Sequence, residues 1–176
     1  MARISLIEPE DDPSLHDFAE QIRKGRRGTV INVYKVLLHN PALAESWFHH
    51  MNTVRWSTEL EGRLREILII RIGHQTESAY ILRQHVPKLA KAEGLSQAQC
   101  DALGHWQDTQ EFSDQERAAL AFADTMTERI DVPDTVFEPL RDHFSERQIV
   151  ELAVLVGTYN MHSRVLRALE VDLEPD

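Results

Sequence analysis

Cysteine is nearly absent: Cys100 is the single one in 176 residues. One thiol makes neither an intramolecular disulfide nor a dithiol redox couple. Glycine and proline number seven each, too few for a low-complexity or loop-dominated chain. Positive charge is also short. Nineteen Lys and Arg face 29 Asp and Glu, a formal net charge of −10. Such a chain is poorly suited to neutralising phosphates, so no nucleic-acid partner is expected. No apolar run approaches the length of a membrane span. The N-terminal stretch Met1 to Asp12 turns acidic too soon for a secretory signal. A cytoplasmic protein with no membrane partner is the expectation. The chain has no H-E-x-x-H, G-x-G-x-x-G or P-loop pattern, so no metal, nucleotide or other cofactor is expected. One basic run stands out, Arg23-Lys24-Gly25-Arg26-Arg27. It reads as a solvated loop, or as a site for a carboxylate ligand or an acidic neighbouring subunit.

What is present is helical patterning. Hydrophobic residues make up 42% and charged residues 27%, a globular balance. Val30, Val33, Tyr34, Leu37 and Leu38 follow helical spacing. Asn40-Pro41 ends that helix, and Pro41 opens the next, with a stripe of Leu43, Trp47, Phe48 and Met51. Ser57 or Thr58 is expected to cap a helix running through Leu60, Leu64 and Ile67. Capping boxes at Ser96…Gln99, Ser113…Glu116 and Ser145…Gln148 announce three more helices. Pro133-Asp134 opens a short one. No segment alternates like a strand. The expectation is an all-α fold of seven to nine helices. Leu64 to Ile69 echoes Ile149 to Val154, a possible internal helical duplication.

Chemistry concentrates between Arg63 and Leu95. Glu66 precedes Ile67, Leu68, Ile69 and Ile70 on a helix apolar nearly all round, and therefore buried. A buried carboxylate must find partners or shift its pKa upward. The apolar pattern lapses over Gly73 to Glu77, and a second helix starts near Ser78. Ser78, Ile81 and His85 share one face of it. Ser78 would sit among the free N–H groups of the first turn. Pro87 removes the N–H that would bond the carbonyl of Arg83, so the helix should kink just after His85.

These residues carry a resemblance. The segments Leu64 to Gly73, His85 to Ser96, Val33 to Trp47 and Leu155 to Val171 resemble the carboxymuconolactone decarboxylase / alkylhydroperoxidase D family. The resemblance spans residues 25 to 172 and implies an alkylhydroperoxidase D-like fold. It divides the chain into an N-terminal segment with a short helix (1–24), the helical domain (25–172) and a tail (173–176). Redox members carry a glutamate, a cysteine 12 residues on, a second cysteine three further and a histidine four beyond. Those spacings fall here on Glu66, Ser78, Ile81 and His85. Neither serine nor isoleucine can form the disulfide, so dithiol peroxidase activity is not expected. The decarboxylase branch works without the cysteine pair.

That branch implies an acid/base enzyme acting on a small carboxylate or lactone. Candidate catalytic residues are Glu66, His85, Ser78 and Tyr80. His85 would reprotonate carbon, Glu66 would orient it, and Tyr80 would donate to an oxyanion. Arg71 is the candidate for holding a carboxylate bidentately, and Ile81 and His162 are candidate lining residues. The resemblance also implies a homo-oligomer, a trimer or hexamer. Trp47, Phe48, Met51 and Trp56 supply either an interface stripe or a core stripe. Two alternatives stay open: an antioxidant protein of the same family, and a non-catalytic binding module.

Overall fold

The computed structural model describes residues 2–26 and 28–175; Met1, Arg27 and Asp176 lie outside the described residues. Nine α-helices are present among the described residues, with no strand. They are α1 (His16–Gly25), α2 (Asn32–Leu37), α3 (Pro41–Trp56), α4 (Gly62–Gln75), α5 (Ala79–Gln84), α6 (Gln97–Ala102), α7 (Asp114–Arg129), α8 (Asp134–Phe137) and α9 (Glu146–Ala168). A π-helical turn, His85–Ala90, continues directly from α5.

Local chemistry sets most of these boundaries. The Asn40 side chain accepts from the Leu43 N–H and Pro41 takes the first position of α3. All three capping boxes form, each serine accepting from the N–H three residues on while that residue's side chain accepts in return. Each such cap contributes about 1 kcal/mol. Pro133 stands at the N-cap of α8. Pro87 lies inside the π turn, where α-helical bonding has given way just past Gln84.

The centre of the fold is α4. Every residue from Leu64 to Gly73 is buried, and Ile67 to Ile70 are fully enclosed. It packs against α5, α7 and α9 at once. Its many isoleucines are only moderate helix formers, so burial rather than propensity holds this helix. Gly73 lets α5 cross closely. A Cβ there would lie 2.9 Å from Leu82 Cδ2 and 3.1 Å from Ile81 Cγ2. The chain then turns through Glu77, whose φ of 49° is left-handed, and re-enters a helix after Ser78.

Several expectations change. Ser57 closes α3 and does not open α4, which begins at Gly62 after Glu61. The α3 stripe is Ala44, Trp47, Phe48 and Met51, all in the core, while Leu43 is exposed. Trp56 is 57% exposed. Leu15, Ala19 and Ile22 of the N-terminal segment pack into the same core as α4. The echo between α4 and α9 is not matched in environment: Val150 and Val154 are exposed, where Arg65 and Ile69 are enclosed. No described helix is long and apolar enough to cross a membrane.

Candidate active site

The two residues singled out on α4 and at the end of α5 meet. His85 Nδ1 lies 2.6 Å from Glu66 Oε2, both side chains buried. The crossing at Gly73 brings the start of the π turn over the middle of α4. Glu66 Oε1 also lies 3.4 Å from Arg55 and 3.9 Å from Arg65. Burial alone would raise the Glu66 pKa. His85, Arg55 and Arg65 outweigh it, and the carboxyl is held below its ordinary 4.5. An ionised Glu66 only accepts, so Nδ1 of His85 carries the proton of their bond.

His85 forms part of the wall of a cavity of about 130 Å³. That is close to the roughly 150 Å³ that encloses benzene in an engineered core. Tyr80, Ile81 and Gln84 of α5 share this wall, and α9 contributes Tyr159 and His162. Arg26, Tyr34, Arg55 and Trp56 complete much of the rest. The rings form a chain: His85 stands edge-on to Tyr159 at 5.6 Å, Tyr159 meets His162 at 5.9 Å, and His162 meets Trp47 at 5.7 Å. At the rim, the Trp56 indole takes the guanidinium of Arg55 at 4.6 Å and that of Arg65 at 4.9 Å.

Charged groups of both signs surround the cavity. Arg65 has a second carboxylate in Glu93 at 3.1 Å. Arg26 bonds neutral oxygens, those of Gly25, Asn52 and Tyr34. Arg26 and Arg55 bring positive charge to the wall, with the carboxylate of Glu66 behind Arg55 and that of Glu174 behind Tyr80 and Gln84. Burial, with His85, Arg26 and Arg55 nearby, pushes His162 down to about 3, so it is a neutral imidazole. Burial likewise raises Tyr159, which stays protonated. Tyr159 Oη, His162 Nδ1 and Arg55 Nε have no hydrogen-bond partner among the described residues.

Other sequence candidates fall elsewhere. Arg71 does not reach the cavity. Its guanidinium grips Asp124 bidentately at 2.6 and 2.9 Å and the carbonyls of Leu103 and Gly104. It is a structural tie between α4 and α7, and the carboxylate it holds is the protein's own. Ser78 is buried at the N-cap of α5 but does not line the cavity. Its N–H is engaged by the Gly73 carbonyl, and its hydroxyl has no partner among the described residues. Tyr80 lines the cavity, yet its hydroxyl donates to Glu174 and accepts from the Val33 N–H. Burial and the Glu174 carboxylate raise its pKa far above the tyrosine range. Ile81 is an apolar part of the wall. Within the basic run, Arg23 pairs with Glu10 and Glu20, and Arg26 faces the cavity; Arg27 is outside the described residues. No group of three or more potential metal ligands gathers among the described residues.

Sequence reasoning missed Arg55 and Tyr159. A usable signal existed for Arg55, which continues the Phe48–Met51 stripe by four residues. A charge on the buried face of a helix must have a partner.

The carboxymuconolactone decarboxylase family profile matches residues 41–125. Protein YdfG of Bacillus subtilis is 26% identical over 107 residues, 60% of this chain and 72% of that one. A crystal structure of an Agrobacterium tumefaciens protein of unknown function is 27% identical, with a TM-score of 0.73 over 78% of this chain and 94% of that chain. The alkylhydroperoxidase AhpD core of a peroxidase-related protein from Ralstonia eutropha shares the fold at TM-score 0.84 and 18% identity, covering 98% and 92% of the two chains. Residues 41–125 thus resemble the carboxymuconolactone decarboxylase family, and the chain has the alkylhydroperoxidase D-like fold.

Proposed function

We propose that this protein is a cofactor-free acid/base enzyme. It decarboxylates, or moves a proton within, a small unsaturated carboxylate, lactone or related carbonyl compound. The observation that carries this reading is the buried 2.6 Å contact between Glu66 and His85, made at the wall of a cavity of benzene size. Arg26 and Arg55 supply the positive potential that holds an anionic guest and the enolate formed from it. In decarboxylation, the C–C bonding pair moves into the conjugated carbonyl as CO2 leaves. A proton from His85 then ends on carbon. Ionised Glu66 favours the imidazolium that donates it and fixes the ring's orientation. Ile81 gives the cavity an apolar wall.

The antioxidant reading is disfavoured by the side chains themselves. Ser78 and Ile81 stand where a redox pair would be, and Cys100 is buried with its thiol pKa raised by burial. We further propose a homo-oligomer, a trimer or hexamer, that covers the exposed α9 residues Val150, Val154 and Met161.

The test is CO2 release from carboxymuconolactone, together with deuterium uptake by small unsaturated lactones in D2O followed by NMR. Catalysis is expected from the wild type, with a loss of at least about 100-fold in His85→Gln and in Glu66→Gln. Turnover that survives both substitutions overturns the assignment. Peroxide turnover with a dithiol reductant would favour the antioxidant reading instead. A guest that binds the cavity while no probe is turned over would favour the binding module.

A further inference from the structure

Asp172 and Glu174, beyond α9, return to the cavity wall. Asn32 Nδ2 donates to the Asp172 carbonyl, and Asp172 Oδ2 accepts from the Ala2 N–H. Two residues on, the Glu174 carboxylate is gripped by three donors. Oε1 accepts from the Asn32 N–H at 2.8 Å and from the Tyr80 hydroxyl, and Oε2 accepts from Gln84 Nε2. Tyr80 and Gln84 both line the inner cavity. On the other side of Glu174 lies an outer groove of about 480 Å³, bordered by Glu174 itself with Ile31, Gln84, Arg83 and Lys88. Ile31 and Gln84 belong to both walls. The tail carboxylate therefore stands on the partition between the cavity and the groove.

We propose that Glu174 is a specificity-determining residue, the end wall that limits the site to guests of about one ring. With its carboxylate latched, the cavity stops at Tyr80 and Gln84. With it released, the cavity opens into a groove several times larger whose rim carries Arg83 and Lys88. The released site would then take an extended anion, its first ring inside and its remainder in the groove. The inference rests on the reading of the cavity as the substrate site. It concerns only what length of guest the cavity admits. Leu173 is 45% exposed and adds no apolar anchor, so the latch depends on the polar contacts of Asp172 and Glu174.

The test compares two probes, benzoate and 4-biphenylcarboxylate, by titration calorimetry on the full chain. The proteins are the wild type, Glu174→Ala and Glu174→Gln, each checked by thermal melting. Benzoate affinity should change less than about threefold in either variant, while 4-biphenylcarboxylate should gain at least about tenfold in Glu174→Ala. Glu174→Gln keeps an oxygen that accepts from Asn32 and Tyr80, so it should still exclude the longer probe. Failure of 4-biphenylcarboxylate to gain in Glu174→Ala overturns the end wall, whatever benzoate does. Equal gains by both probes overturn it too, since the tail would then be a general obstruction. A gain confined to the longer probe, with benzoate binding no protein, leaves the end wall standing and contradicts the functional reading.

Discussion

Replacing Glu66 by glutamine keeps the shape of the side chain and removes its charge. The consequences follow from its surroundings. The carboxylate is 1% exposed, 2.6 Å from His85, 3.4 Å from Arg55 and 3.9 Å from Arg65. Arg65 keeps Glu93 as a second partner, but Arg55 loses its carboxylate while staying buried. Leaving one member of a buried pair uncompensated costs about 3–5 kcal/mol. For a chain of this length that lowers Tm by roughly 6–20 °C. The loss also depends on pH. The folded-state pKa of Glu66 lies below its ordinary 4.5, so the ionised form stabilises the fold. That contribution is complete above about pH 4.5 and disappears as pH falls through the lowered folded-state value. Urea unfolding followed by circular dichroism should show the full gap between wild type and Glu66→Gln at pH 7. The gap should shrink steadily in acid. A loss below about 1 kcal/mol at pH 7, the size expected of an exposed pair, would refute the reasoning. So would a gap that ignores acid.

Arg71→Met should destabilise by about 3–5 kcal/mol, because it removes the cation from the buried Asp124 carboxylate and leaves it only the neutral donors Trp106 and Gln107. It should leave benzoate affinity unchanged; a weakened affinity without a structural change would return Arg71 to the site. His162, pushed down to about 3, should show flat ring-proton shifts in NMR from pH 8 to pH 4.5, and a titration near 6.5 would contradict its neutral, enclosed setting. Val154→Glu should reduce the mass of the particle measured by light scattering. An unchanged mass would mean that the exposed face of α9 is not the contact between copies.

The helix boundaries were legible wherever the signal is local. Ser96, Ser113 and Ser145 with their partners three residues on specify a cap within a single turn. The start of α4 was not, because Ser57 and Thr58 are capable caps and only packing decides that the chain bends through them. The Glu66–His85 pair was readable because the interval between them is short and interrupted by one turn. Arg71 was misread for a physical reason: its partner Asp124 is 53 residues away, and nothing near Arg71 in the chain announces it. The Tyr80 hydroxyl likewise donates a hydrogen bond to Glu174, 94 residues on. Arg55 carried a weaker signal, a charge on a buried stripe, which says that a partner exists without saying which. Cavity shape depends on five separated segments and has no local trace.

In the proposed reaction an anionic guest enters the cavity and meets His85. The most direct measurement is a benzoate titration of 15N-histidine-labelled protein followed by NMR. Nine histidines give nine probes across the fold. His85 and His162, which line the cavity, should shift together and saturate, while His16, His105 and His143 stay still. Shifts confined to those three, with His85 and His162 unmoved, would contradict the proposed reaction.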